Sequence, residues 1–104
     1  MLVSTAPFIA GWRVAETRGH VFGLVVRSRG LGGNIMAGLR SIGGGEIHEY
    51  TKLLAQAREE ALDRMLEEAR MRGADAVVGL RFAGCEIATG AAEFLAYGTA
   101  VKLR

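Results

Sequence analysis

The chain has 104 residues, half of them hydrophobic, with 15 glycines, seven aromatics, one cysteine and 13 basic against 11 acidic side chains, a net charge of +2. That length predicts a single domain spanning residues 1–104, and a charged fraction of 23% beside abundant Val, Leu and Ile argues against disorder. A lone cysteine excludes an internal disulfide framework and a Cys-rich zinc site within one chain, while a small charge without a basic stripe argues against nucleic acid.

Glycine is at about twice its usual share, so the apolar half is rich in small residues that bring backbones close but fill little volume. That composition predicts apolar surface buried against further copies of the chain. The charge is unevenly placed. Residues 1–45 carry five arginines and one acid, whereas residues 46–75 carry five bases and eight acids. The basic half can therefore meet the acidic one, in the same subunit or the next.

Leu2 to Thr5 reads as a short strand closed by Pro7. The opening apolar stretch has no positive leader and breaks at Pro7 and Gly11, so no signal peptide is expected. No apolar run approaches the roughly 18–20 residues that span a bilayer, and a cytoplasmic protein is expected. Trp12 to Thr17 alternates apolar and polar residues as a half-buried strand does. Arg18-Gly19-His20 then reads as a turn, and Val21 to Arg27 as a second strand completing a hairpin. Ser28 to Asn34 is loop chemistry, and Asn34 can cap a short helix over Ile35 to Ile42 that Gly43-Gly44-Gly45 breaks.

The clearest element runs from about Ile47 to Arg72. Tyr50, Leu53, Leu54, Ala57, Ala61, Met65, Leu66 and Ala69 recur at three- and four-residue steps, which makes one apolar stripe. Glu60 with Arg64, and Glu68 with Arg72, stand four residues apart and support the helix. Gly73 is the expected residue just past its end. Ala76 to Phe82 reads as a third strand, Ala83 to Ala92 as a connection, and Glu93 to Leu103 as a fourth strand.

The order is ββ-α-ββ, an α+β fold with an antiparallel sheet packed on one long helix. Parity sorts the strand faces. Phe22, Leu24 and Val26, with Ala76, Val78, Leu80 and Phe82, are expected to meet the helix. Val21, Gly23 and Val25, with Val77 and Gly79, are expected on the far face, against another subunit. Gly23 and Gly79 there serve either a close contact or a sheet bend.

The stretch Gly73-Ala74-Asp75-Ala76-Val77-Val78-Gly79-Leu80-Arg81 and the closing Tyr97-Gly98-Thr99-Ala100-Val101 resemble the YbjQ-like family. Ala57-Arg58-Glu59, Ser4-Thr5-Ala6-Pro7 and Gly32-Gly33-Asn34 fall in the same order. The family comprises small bacterial and archaeal proteins with a heavy-metal-binding description and no settled activity. The resemblance covers nearly the whole chain. It implies a dodecin-like subunit and a ring-shaped homo-oligomer, a pentamer. It transfers no metal-ligating residue.

Read for metal chemistry, the donors are Cys85, His20, His48 and the neighbouring Glu46 and Glu49. Cys85, His48 and Glu46 are the candidate ligands for a transition metal ion, and a site built from them needs the symmetry of a ring. No pair has a recognised ligand spacing. The bland reading is stronger: the carboxylates suit a helix N-terminus and Cys85 is a small apolar filler. Arg27, Arg29 and Gly30 to Asn34 could face an anion, but no Gly-Lys-Ser/Thr follows and a flexible turn accounts for them. No catalytic motif is present. The expected function is a homo-oligomeric binding or scaffold protein, the alternative a small enzyme or ligand carrier with a site between subunits. Asp75 is expected to bond backbone N–H groups, Met65 and Met71 to fill core or interface, and Trp12 and Tyr97 to be core or interface aromatics.

Overall fold

The small side chains of one helix decide how closely it sits on the sheet, and that closeness decides which strand face it covers. The computed structural model describes residues 1–28, 48–88 and 91–104. Its elements are β1 (Leu2–Val3), β2 (Val14–Ser28), α1 (His48–Met71), β3 (Ala76–Ala88) and β4 (Ala91–Leu103). The sheet order is β1-β3-β4-β2. β4 pairs antiparallel with both β2 and β3, but β1 lies parallel to β3, so the sheet is mixed where a wholly antiparallel one was expected. The expected short helix over 35–42, its Asn34 cap and the Gly30–Asn34 loop lie outside the described residues.

Two strands are longer than their sequence suggests. The expected hairpin at Arg18-Gly19-His20 is instead one continuous strand, β2. Gly19 has φ +88° and the register with β4 shifts between Thr17 and His20. A glycine with positive φ that absorbs an extra residue is a bulge, which bends a strand without reversing it. β3 runs on through Ala83 to Ala88, a stretch read above as a connection, and pairs with β4 as far as Ala91. Its Ala and Gly residues have low strand propensity; pairing with the more strand-prone Phe94 and Leu95 outweighs that.

The helix spans about 36 Å at 1.5 Å per residue. Its acidic and basic residues pair as spaced, Arg64 with Glu60 at 2.9 Å and Arg72 with Glu68 at 2.9 Å. Gly73 ends it with φ +73°, the left-handed conformation that glycine adopts without strain. The buried stripe is Ala57, Ala61, Met65 and Ala69, all fully enclosed. Three alanines in four let the helix approach the sheet closely, and with the exception of Leu80 the buried residues beneath it are small or β-branched. These are Val21 and Val25 of β2, Val77 and Leu80 of β3, and Ala96 and Ala100 of β4. Gly23 sits under the helix backbone itself. A Cβ there would collide with the Ala61 carbonyl oxygen and lie 2.5 Å from the Met65 amide nitrogen.

The face assignment is therefore corrected. On β2 the Val21, Gly23 and Val25 face meets the helix, while Phe22, Leu24 and Val26 point away from it and are 50%, 43% and 51% exposed. Parity alone does not say which face turns inward, and the alanine stripe selects the smaller one. On β3 neither parity set stays on one side. The register shifts between Val78 and Arg81, at Gly79, whose φ is +64°. Val77 and Leu80 consequently both join the helix-side core, although three positions separate them. Ala76 and Val78 face the other way, in a small second cluster with Val101, Ile9 and Leu103. Of the two readings of Gly79, the bend holds in the chain itself: nothing lies within 4 Å of a Cβ built there.

The N-terminal segment continues the pairing of β3 beyond β1. Gly79 donates to the Ala6 carbonyl at 2.9 Å and Leu80 to the Ser4 carbonyl at 3.0 Å. On the opposite edge, helix side chains satisfy backbone groups of β2. Glu68 accepts from the Phe22 N–H at 3.3 Å, Arg64 donates to the Leu24 carbonyl at 2.6 Å, and Arg72 donates to the Arg18 carbonyl at 3.1 Å. Arg27 pairs with Glu60, so the basic first half does meet the acidic helix within one chain. Such side-chain cover blunts an edge strand against further pairing.

Asp75 fills the structural role expected of it, across strands. Its carboxylate accepts from the Leu103 N–H at 2.8 Å and from Lys102 at 3.1 Å. Those bonds, the backbone one first, hold its pKa below the ordinary carboxylate value. Its contribution to stability is present above the ordinary carboxylate range and is lost as the pH falls through the lowered value.

Candidate functional site

Cys85 lies on the distal half of β3, exposed and free. Its register partner on β4 is Glu93, and the thiol donates to Glu93 Oε2 at 3.4 Å. That hydrogen bond, then desolvation and the negative charge of Glu93, pushes the thiol pKa upward. The group therefore rests as a thiol, and a metal ion binding there would have to displace its proton. His48 opens α1, and Glu46 and Glu49 precede and follow it in the chain; Glu46 lies outside the described residues. His20 pairs at the Thr99 register and stacks on Phe22 at 5.8 Å. Six positions of β4 separate Thr99 from Glu93, about 20 Å along a strand, so His20 does not join Cys85 within one chain. Among the described residues no three metal-ligating groups converge. Among the described donors, Cys85 and Glu93 are the pair in contact, and two donors do not make a closed metal site.

Glu93 was missed by sequence reasoning. The signal for it was the strand pairing of Ala83–Ala88, which its alanines and glycine concealed.

A second feature lies on the helix side of the same hairpin. Leu54 and Arg58 of α1, Phe82, Ala83 and Gly84 of β3, and Phe94 and Leu95 of β4 line a cavity of about 230 Å³. Its walls are apolar. Arg58 sits over the Phe82 ring, its guanidinium carbon 5.5 Å from the centroid. This cavity was also missed. A sequence signal for it existed: the helical neighbours of Arg58 at three and four positions are Leu54, Ala55, Ala61 and Leu62, none of which can pair with it.

The far face of the sheet is the third feature. Phe22 lies opposite Tyr97 and Leu24 opposite Leu95, with Val26 next along β2 and Tyr97 42% exposed. Ile9 and the N-terminal segment cover only the other end of that face, around Ala76, Val78 and Val101. Met65 is core as expected, and Met71 is solvent-facing.

The comparisons agree with this architecture. The YbjQ family, described as "Putative heavy-metal-binding", matches residues 1–104. The chain belongs to it. A UPF0145 protein of Methanoregula boonei is 54% identical over 101 residues, covering 97% of this chain and 84% of its relative. A UPF0145 protein of Thermus thermophilus is 54% identical over 103 residues, covering 99% and 90%. A crystal structure of a DUF74-family protein of unknown function from Pediococcus pentosaceus superposes with a TM-score of 0.67, covering 100% of this chain and 98% of that one at 15% identity. That likeness shows the fold: one helix on a four-stranded mixed sheet. The YbjQ family is uncharacterised, so function rests on the chain's own surface. No helix among the described residues is long and apolar enough to cross a membrane.

Proposed function

We propose that the chain is one subunit of a cytoplasmic homo-oligomer, a ring of dodecin-like subunits that acts as a binding or scaffold protein. One observation carries the assembly: the sheet face away from α1 presents Phe22, Leu24, Val26 and Tyr97 as one contiguous exposed apolar patch. Single exposed apolar residues are ordinary, but a rimmed patch of neighbours marks an interaction surface. Polar groups lie around it, His20 beyond Phe22 and Glu93 opposite Val26. The distal half of β3 beyond Leu80 supplies a sheet edge in addition. The family resemblance supports a count of five, and the exposed free thiol fits a reducing compartment. Size-exclusion chromatography with light scattering at micromolar concentration tests the reading. A particle of five times 11.1 kDa is expected, and a clean monomer overturns it.

A second reading follows the family's heavy-metal description. The pairing of Cys85 with Glu93 supports it: two donors from each chain, joined by donors of a neighbouring copy, would complete a tetrahedral set. His48 is the further candidate and Glu46 another. Calorimetric titration with Zn²⁺ is expected to show saturable binding that Cys85→Ala abolishes and His48→Ala weakens. Equal binding by all three proteins removes the site.

A further inference from the structure

We propose that the cavity between α1 and the β3–β4 pair binds a small apolar carboxylate, with Arg58 holding the anionic end and Leu54, Phe82 and Phe94 enclosing the hydrocarbon body. The described lining residues all come from one chain, so the proposal goes beyond the assembly reading and does not depend on it.

The argument starts from the charge pattern of the helix. Arg64 and Arg70 of α1, and Arg72 just past its end, each have a glutamate one turn away and pair with it. Arg58 is different. Its neighbours at one turn are apolar, and among the described residues no carboxylate or carbonyl accepts from it. Its one contact of note is the face of Phe82. A guanidinium placed over a ring at this distance interacts through its charge and keeps its N–H groups available to an acceptor. Those groups can grip a carboxylate with two parallel hydrogen bonds. A cation with no acidic partner among the described residues therefore stands at an apolar cavity, over the cavity's own aromatic wall.

The walls define the rest of the ligand. Leu54, Phe82 and Phe94 offer hydrocarbon and ring surface, which favours an aromatic or branched aliphatic body. The volume of about 230 Å³ lies below the roughly 300–1,000 Å³ of sites for drug-sized molecules. The ligand is accordingly a single ring or short chain ending in a carboxylate. Apolar walls with one convergent charged group are the usual composition of a small-molecule site. Gly84 keeps the floor open. A Cβ built on it makes only ordinary contact with the Phe94 ring at 3.5 Å, so a side chain can be added there without displacing backbone.

The test uses the full chain and three probes in calorimetric titrations: 3-phenylpropionate, its neutral analogue 3-phenylpropan-1-ol, and acetate. Saturable binding of 3-phenylpropionate at one per chain is expected. The alcohol and acetate should bind at least about tenfold more weakly, the scale of losing charge-assisted hydrogen bonds or the apolar body. Arg58→Gln should weaken 3-phenylpropionate by a similar factor while leaving the alcohol unchanged. Gly84→Val should weaken both, with the thermal unfolding temperature preserved. Absence of saturable binding overturns the proposal, as it would if a segment of another copy filled the cavity. Equal affinity of wild type and Arg58→Gln also overturns it, since that outcome means adsorption to apolar surface elsewhere. Light scattering on the same samples reports assembly separately.

Discussion

Gly23→Ala is expected to destabilise the fold by about 3 kcal/mol, the upper end of what overpacking costs. The methyl group has nowhere to go. It would collide with the Ala61 carbonyl oxygen, lie 2.5 Å from the Met65 amide nitrogen and 2.9 Å from the Arg64 Cβ. Two of these atoms are helix backbone, so no side-chain rotation relieves the clash. Relief requires the helix to lift off β2, which opens the contacts of Val21, Val25, Ala57, Ala61 and Met65. For a domain near 100 residues such a loss lowers the unfolding temperature by roughly 12–24 °C. Thermal and urea unfolding at fixed protein concentration measure it. Gly79→Ala is the comparison: its Cβ meets no neighbour, and its φ of +64° costs about 1–2 kcal/mol for an L-residue. A Gly23→Ala protein as stable as wild type would mean that the helix does not sit this close to β2.

That close approach also explains what could and could not be read from the sequence. The helix was legible because its three- and four-residue periodicity extends over 24 residues, from His48 to Met71. Its capping glycine and its Glu–Arg pairs are local signals, and they formed as spaced. The strand faces were illegible because parity holds only between bulges. Gly19 and Gly79 each take a positive φ and shift the register, which moves later residues to the opposite side. A glycine that bends a strand and one that turns it look alike in sequence. Size was a second misleading signal. Phe22 and Leu24 would bury more area than Val21 and Gly23, yet a helix faced with Ala57, Ala61 and Ala69 excludes them. The distal part of β3 was missed because Ala83, Gly84 and Ala88 carry no strand signal of their own. With it went Glu93 as the neighbour of Cys85 and the cavity beneath Arg58. Both features arise only when two segments of the chain are laid side by side.

The inverted faces shift the predicted contact between subunits to the larger residues, where a charge has a large effect. Leu24→Glu is expected to dissociate the assembly into folded single chains. Leu24 lies between Phe22 and Val26 on one strand, with Leu95 opposite it, so it sits at the centre of the patch. In a single chain it is 43% exposed, and a carboxylate there stays hydrated. In an interface the same carboxylate is stripped of water without a partner, which is costly. A buried ionised carboxylate with no partner costs several kcal/mol, more than the truncation of most interface side chains, so subunit affinity should fall by about a hundredfold or more. Light scattering reads the mass, and circular dichroism should show an unchanged helix and sheet. Met71→Glu provides the contrast, because Met71 is 81% exposed at the end of α1, away from the patch, and should leave the mass unchanged. If Leu24→Glu keeps the wild-type mass, the far face is not the contact, and the distal edge of β3 becomes the surface to vary next. If Leu24→Glu unfolds instead, Val26→Glu at the 51% exposed margin of the patch separates the two effects, because it has more access to water in the single chain.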